Sequence, residues 1–151
     1  MREPALLQTT NVILDIQASD RDDCIRQMGE RLQASGYVTD LAAYMDSVLA
    51  REEHTSTAIG FGVAIPHGKS SGVARPGVAF ARTAQPLEWN ALDGKPVSMM
   101  IMLAIPQEEA GKEHLRILAS VSRKLIHESF RRELLEAKTE EEVIRILESA
   151  L

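Results

Sequence analysis

The longest apolar run of this chain, residues 97–105 (VSMMIMLAI), limits its possible folds more than any other segment. It is far shorter than the roughly 20 apolar residues that a membrane-spanning helix needs. A short and nearly continuous apolar run is instead typical of a strand that is buried on both faces of a sheet. The run therefore predicts a central strand with a layer of structure on each side.

Helical patterns occupy the first third of the chain. Ser19 is predicted to cap a first helix that ends at Gly36, with acidic residues in its first turn. Its apolar stripe is Cys24, Ile25, Met28 and Leu32. Thr39 is predicted to cap a second helix that ends near Arg51. Its inward face is Leu41, Tyr44, Met45, Val48 and Leu49.

Strand and helix patterns also alternate along the rest of the chain. Strands are predicted at 11–16 and 78–81, and helices at 113–126 and 130–137. Thr139 and Glu142 have the spacing of a capping box that opens a last helix. Strands that alternate with helices predict an α/β fold, a three-layer sandwich with helices on both faces of the sheet. The length predicts one domain over residues 1–151.

Charge and cysteine content exclude several classes of function. The net charge of −5 argues against general nucleic-acid binding. The single cysteine, Cys24, cannot form an internal disulfide, and its place on a helical stripe predicts a small core residue. The first residues lack the basic and then apolar pattern of a signal peptide. We therefore expect a cytoplasmic protein that does not insert into a membrane.

The segment 60–69 (GFGVAIPHGK) carries the residue best suited to chemistry. Pro66 fixes its own φ and favours an extended Ile65, and the glycines allow tight turns and close approach. His67, between Pro66 and Gly68, is therefore predicted to be presented rather than packed. Neutral imidazole is a nucleophile near pH 7 that can accept a group and pass it on. On its own, Pro-His-Gly is more typical of an ordinary surface turn with an incidental histidine.

The surrounding motifs favour the chemical interpretation. They are RE at 51–52, STAIG at 56–60, GVAIPHGK at 62–69, WNALDGKP at 89–96, EHL at 113–115 and SRKLIHE at 122–128. In this order they resemble the IIA component of the bacterial phosphoenolpyruvate-dependent sugar phosphotransferase system, mannitol/fructose class. The resemblance covers nearly the whole chain. It implies a mixed central sheet and a phosphoryl group carried by His67 as tele-phosphohistidine.

The resemblance also implies roles for residues around His67. Arg51 would contact the phosphate through its planar guanidinium, although by itself it is more typical of a solvated charge near a helix C-terminus. The predicted phosphate-binding residues are Ser56, Thr57 and Gly68. The two hydroxyl groups have an alternative, which is to shape the turn that they occupy.

His114 is the second histidine of the predicted site. It shares a helical stripe with Leu118, Val121 and Leu125, which is more typical of a core histidine. It also lies in the first turn of its helix, where unpaired N–H groups and the helix dipole favour an anion and a neutral imidazole. The resemblance implies that His114 lies beside His67 and stabilises the phosphohistidine.

The predicted function is a phosphoryl relay. HPr or an HPr-like carrier would phosphorylate His67, which would phosphorylate a cysteine of a IIB component and so serve a membrane IIC component and a fructose-like sugar. No cofactor is expected, because a Walker loop is missing, and no metal, because the histidines lack zinc-site spacing. The alternative is a nitrogen-type regulatory IIA protein that binds targets in one phosphorylation state. The segments 89–94 and 126–128 favour the fructose branch.

The approach to His67 carries apolar residues at alternate positions, namely Ile59, Phe61, Val63 and Ile65. Some of them should face the core. Phe61, between two glycines, is predicted to point outward and to meet the partner proteins.

Overall fold

The computed structural model describes residues 6–108 and 113–151, except for the side chains of residues 113 and 114. The described strands are β1 (Val12–Ile13), β2 (Ala58–Gly60), β3 (Val63–Ala64), β4 (His67–Ser70), β5 (Gly77–Leu87) and β6 (Val97–Pro106). The described helices are α1 (Arg21–Ala34), α2 (Leu41–His54), α3 (Glu113–Leu125), α4 (Glu128–Glu136) and α5 (Glu140–Glu148). A short 3-10 turn covers Thr9–Asn11.

The strands form one mixed sheet with the order β1-β5-β6-β3-β2, in which β4 also pairs with β6. Strand β6 runs antiparallel to β5 and parallel to both β3 and β4. The predicted central strand, 97–105, is therefore confirmed. Because β3 and β4 pair with successive parts of β6, they lie end to end along the same side of it.

The sheet has a helical layer on each face. One buried cluster joins α1 and α2 to the face of β6 that carries Met100, Met102 and Ala104. The other joins α3, α4 and α5 to the face that carries Ile101 and Leu103. Neighbouring strand residues point to opposite faces, so a continuous apolar run supplies both clusters. The predicted three-layer α/β sandwich with a mixed sheet is confirmed.

The caps of the first two helices differ from the prediction by one residue. Asp20, not Ser19, caps α1, and its side chain accepts the Asp23 N–H at 2.8 Å. Asp40, not Thr39, caps α2 in the same way. Cap-type residues stand side by side at both places, and the carboxylate is the one that meets the free N–H of the first turn.

Other helix ends agree better with the prediction. Gly36 follows the last turn of α1 with φ +89°, a conformation that glycine adopts without strain. Thr139 caps α5 by accepting the Glu142 N–H at 3.1 Å. Helix α2 runs to His54, three residues past the predicted end at Arg51. None of the helices in the described part of the chain has the length and apolar character needed to cross a membrane.

The extents of two strands also differ from the prediction. Of the predicted strand 11–16, only Val12–Ile13 pairs, with β5. The predicted strand 78–81 is the start of a longer strand, β5, whose far end is mostly exposed. That part of β5 lacks an apolar run, so the sequence pattern does not indicate a strand there.

Candidate functional site

His67 is the first residue of β4, and it is half-buried. The sequence predicted tight turns and no strand here, and the strand forms because β4 is held by a distant partner. His67 pairs in register with Leu103 of β6, in parallel. The histidine is thus mounted on the sheet, just after Pro66 separates β3 from β4.

The register also decides which face His67 occupies. Residues paired across two strands carry their side chains on the same face of a sheet. Leu103 belongs to the apolar cluster that packs under α3, α4 and α5. His67 therefore projects on the side of α3, whereas its neighbour Gly68 faces α2.

One nitrogen of the His67 ring has a defined partner. Nδ1 lies 2.9 Å from the carbonyl oxygen of Ile65. A carbonyl oxygen can only accept a hydrogen bond, so Nδ1 of the neutral ring carries the proton. The lone pair of the imidazole consequently lies on Nε2. This is the tautomer that a nucleophile at Nε2 requires.

Helix α2 packs very closely on β4 at Gly68. A Cβ added to Gly68 would lie 2.8 Å from Ser47 Oγ and 2.9 Å from Val48 Cγ2. The Leu103 N–H donates to the Pro66 carbonyl at 3.0 Å, so the parallel pattern directs the Gly68 N–H to β6. Close approach thus explains this glycine, and its predicted contact with phosphate stays a prediction.

Arg51 lies one helical turn after Ser47 and Val48, at the end of α2. Because α2 meets β4 at Lys69 and Gly68 through these residues, its direction carries Arg51 toward the His67 end of the strand. Arg51 is half-buried, and its Nη1 donates to the Thr55 carbonyl at 2.6 Å. Arg51 lies on the α2 side of the sheet, whereas His67 projects on the α3 side. To reach a phosphate on His67, the Arg51 side chain would have to extend past the edge of β4.

Both hydroxyl groups predicted to bind phosphate donate within the protein. Ser56 Oγ donates to the Trp89 carbonyl at 2.9 Å. Thr57 Oγ1 donates to the carboxylate of Glu52, which also accepts the Thr57 N–H at 3.1 Å. These contacts favour the alternative in which the hydroxyls shape the turn, and the phosphate contact stays a prediction.

The side chain of His114 lies outside the described residues, so its place beside His67 stays a prediction. Its backbone belongs to the first turn of α3. The predicted stripe of this helix is present further along. Val121 and Leu125 are fully buried, and Leu118 packs against the same cluster.

The hairpin before His67 exposes part of its apolar side. Phe61 is 56% exposed and adopts φ +62°, between two glycines that also have positive φ. Ile59 is exposed as well, whereas Val63 and Ile65 are buried. The prediction that Phe61 points outward is confirmed.

Two contributors to the site were missed in the sequence. Glu52 is 4% exposed and accepts the Thr57 N–H, although in the sequence it stands out only as part of the RE motif at 51–52. Arg131 of α4 lies over the ring of Phe61, with 4.2 Å between guanidinium carbon and ring centre. Neither role leaves a local signal, because both depend on residues that only the fold brings together.

These observations define a three-layer α/β domain with a half-buried histidine at the start of β4, whose Nδ1 faces the Ile65 carbonyl. Residues 5–150 match the family model described as phosphoenolpyruvate-dependent sugar phosphotransferase system, EIIA 2. The chain belongs to this family.

The chain is similar to known proteins of both the fructose and the nitrogen-regulatory type. The chain is 42% identical over 113 residues to the "PTS system fructose-specific EIIA component" of Haloferax volcanii, covering 75% of this chain and 73% of that one. The crystal structure of nitrogen regulatory protein IIA-Ntr from Neisseria meningitidis has a TM-score of 0.86 and 36% identity, over 94% of this chain and 96% of that one.

A third comparison is with a complex. The structure of enzyme IIA-mannitol with phosphorylated enzyme IIB-mannitol from Escherichia coli matches with a TM-score of 0.79 and 26% identity. It covers 95% of this chain and 99% of that one.

Proposed function

We propose that the protein, acting as one domain over residues 1–151, relays a phosphoryl group between two proteins through His67. HPr or an HPr-like carrier phosphorylates Nε2, and the group then passes to a IIB component. The observation that carries this proposal is the contact of 2.9 Å between Nδ1 of His67 and the carbonyl of Ile65. That contact assigns the ring proton to Nδ1 and the lone pair to Nε2.

The chemistry needs no cofactor. The Nε2 lone pair attacks phosphorus in the carrier phosphohistidine, so the new N–P bond forms as the old one breaks and the carrier imidazole leaves. A thiolate of the IIB component then attacks the same phosphorus, and neutral His67 is regenerated. Such transfers depend mainly on positioning and on charge stabilisation, which a rigid sheet edge supplies.

Arg51 and His114 stabilise the phosphorylated state in this proposal. Arg51 lies one helical turn after the contact of α2 with β4, and it uses one of its five N–H groups on the Thr55 carbonyl. Its other N–H groups suit a phosphate. For His114, the supporting argument is the first turn of α3, where helix N–H groups favour an anion.

The same surface would receive both partners in turn, because two proteins cannot occupy one histidine together. Val63 pairs with Met99 of β6, and His67 pairs with Leu103 of the same strand. These two partners are four residues apart, so Val63 and His67 are separated by about 13 Å along the strand direction. A partner burying about 800 Å² covers a patch roughly 30 Å across. It can therefore contact both His67 and the exposed Phe61.

The IIB component would in turn serve a membrane IIC component that imports fructose or a related sugar. The support is the name of the Haloferax volcanii relative and the complex with phosphorylated IIB among the structural neighbours. This role fits a cytoplasmic protein without nucleic-acid contacts, which a net charge of −5 also favours.

A regulatory role is the second candidate, and the Neisseria meningitidis IIA-Ntr structure favours it. A regulator would accept phosphate on His67 and bind its targets in one phosphorylation state. It would not pass the group to a sugar-transport IIB component. The two candidates therefore differ in the second transfer and not in the first.

The test is a reconstituted relay. The protein is incubated with phosphoenolpyruvate, enzyme I and HPr, and an acid-labile phosphoryl group should appear on His67. Equal labelling of folded His67→Ala would overturn the proposal. Candidate IIB proteins are then added to the labelled protein. Rapid loss of label to a IIB component supports the relay, and retention with every IIB protein supports the regulator.

A further inference from the structure

We propose that Glu52 and Thr57 are positioning residues that set the tautomer of His67. A continuous chain of hydrogen bonds runs from the carboxylate of Glu52, through the backbone of Thr57 and Ile65, to the imidazole. The inference deepens the proposed function and rests on it only where it concerns the site of phosphorylation.

The first link lies at the end of α2. Glu52 is 4% exposed, and Thr57 is 5% exposed. One carboxylate oxygen accepts the Thr57 N–H at 3.1 Å, and the other accepts the Thr57 hydroxyl. A buried carboxylate that holds two donors of one residue fixes that residue firmly, since losing either donor leaves an unpaired charged oxygen.

The second link joins Thr57 to Ile65. The Ile65 N–H donates to the Thr57 carbonyl at 3.0 Å. The residue that follows is Pro66, which restricts Ile65 to an extended conformation. The Ile65 backbone is therefore held from both sides, and the side chain is 2% exposed in the core.

The last link reaches the ring. With Ile65 held, its carbonyl is aimed at Nδ1 of His67 at 2.9 Å. The hydrogen bond that one ring nitrogen makes determines which nitrogen carries the proton. Glu52 and Thr57 therefore act through Ile65 and contact no reacting atom. Their task is to keep the lone pair on Nε2.

Glu52 and Thr57 would make the same buried contacts if their role were purely structural. The test must therefore measure the tautomer of the His67 ring directly. Two variants weaken the first link, the one between Glu52 and Thr57, to different extents. Thr57→Val removes the hydroxyl and keeps the shape of the side chain. Glu52→Met removes both acceptors and leaves no unpaired buried charge, because methionine is apolar and of similar length.

Three control variants match them. Thr57→Ser keeps the hydroxyl, and Glu52→Gln can still accept the Thr57 N–H while its amide donates to Oγ1. Thr139→Val makes the same exchange at the cap of α5, where Thr139 Oγ1 accepts the Glu142 N–H. This last variant removes a helix cap that takes no part in the chain of hydrogen bonds to His67.

The measurement is the tautomer of His67, from the ¹⁵N chemical shifts of its ring in the unphosphorylated protein. We expect mainly the Nδ1–H form in the wild type and in all three controls. Thr57→Val and Glu52→Met should each raise the Nε2–H share several-fold. After phosphorylation by HPr, both should also carry part of the phosphoryl group on Nδ1.

Wild-type tautomer ratios in folded Thr57→Val or folded Glu52→Met would overturn the inference. So would an equal change in Thr139→Val. The ring measurement needs no phosphoryl donor, so it is independent of the proposed function. A wild-type protein that shows the Nδ1–H form and yet takes no phosphate would overturn the relay and leave the positioning role intact.

Discussion

The guanidinium carbon of Arg131 lies 4.2 Å from the centre of the Phe61 ring. The same guanidinium donates from Nη1 to the carbonyls of Leu125 and Ile126, at the end of α3. Arg131 thus ties an exposed aromatic ring of the β2–β3 hairpin to the helical layer. Ile126, 60% exposed, belongs to the same surface. These contacts hold the Phe61 ring against the helical layer, and a ring held in place before docking would lower the entropic cost of docking.

Phe61→Asp should weaken both transfers, from HPr and to a IIB component, because it introduces a charge where both partners need an apolar contact. Exposed aromatic anchors commonly contribute about 2 kcal/mol or more to a small interface, which corresponds to roughly 30-fold in affinity. The measurement is the rate of each transfer at limiting partner concentration. The fold should stay intact, since Phe61 is 56% exposed.

Phe61→Leu is the matched control and should retain most of both rates. NMR shift mapping with each partner provides a second check, and excess unphosphorylated HPr should slow transfer to the IIB component competitively. Two footprints on separate surfaces would contradict the shared docking surface, and so would a Phe61→Asp defect confined to one transfer.

Arg51→Ala should still be labelled on His67, but more slowly or with a shorter-lived phosphoryl group. Loss of one donor to a charged group costs about 1.5–3 kcal/mol, or roughly tenfold to a hundredfold. Arg51→Lys keeps the charge and loses the planar fork, so it should recover only part of the rate. Wild-type kinetics in Arg51→Ala would make Arg51 a solvated charge at a helix C-terminus.

His114→Ala should behave in the same direction, because a neutral imidazole in the first turn of α3 would donate one hydrogen bond to the phosphoryl group. His114→Gln keeps a donor and should be less impaired. Label should remain on His67 in both, as detected by peptide mapping. A folded His114→Ala that takes no label, beside a His67→Ala that does, would make His114 the acceptor.

Cys24 should resist thiol reagents in the folded protein. Burial raises the pKa of this thiol to about 12, and the negative charge of Asp23 acts in the same direction. The unfolded thiol has a pKa near 8.5. The folded state thus binds the proton more tightly, so its contribution to the free energy of unfolding is complete below pH ~8.5 and declines up to pH ~12.

The check is labelling by a thiol reagent at pH 8 with and without urea. Fast labelling only after unfolding is the expected result. Cys24→Ala should lack the thiol contribution to the decline of stability at alkaline pH. Rapid labelling of the native protein would show instead that the α1 stripe opens locally.

The layered fold could be predicted because its sequence patterns extend over many residues. The run 97–105 supplies apolar side chains to both faces of one strand, and the apolar stripe of α1 recurs on successive turns of the helix. Strand β4 could not be predicted, since residues 67–70 carry no apolar alternation. Its buried Gly68 and Ser70 owe their burial to α2 and to β6, which are distant in sequence.

The candidate nucleophile could be inferred from the sequence, but the residues that hold it in place could not. His67 stands out because of the whole segment 60–69 and the motifs around it. The role of Glu52 does not stand out, because an acid near a helix end is usually solvated and only the fold buries it against Thr57. The predicted cap of α1, Ser19, was wrong by one residue, because two neighbouring residues can both cap a helix. Which of them does so depends on where the helical backbone begins.

Gly68→Ala should destabilise the protein, because α2 leaves no room for the added methyl group. That group would meet Ser47 Oγ at 2.8 Å, Val48 Cγ2 at 2.9 Å and the Val48 backbone nitrogen at 3.1 Å. Overpacking of this kind costs about 1–3 kcal/mol. The measurement is urea unfolding. Because α2 also carries Arg51, its displacement from β4 should slow phosphorylation of His67 as well.

Val48→Ala provides the compensating change, since it removes Cγ2 and opens space next to Gly68. The double variant should be more stable than the sum of the two single effects indicates, with a coupling on the order of 1 kcal/mol. Residual strain should persist, because the Val48 backbone nitrogen stays in place. Strict additivity would mean that the sheet edge and not α2 absorbs the methyl group, and Arg51 would then be expected to keep its position and the labelling rate its wild-type value.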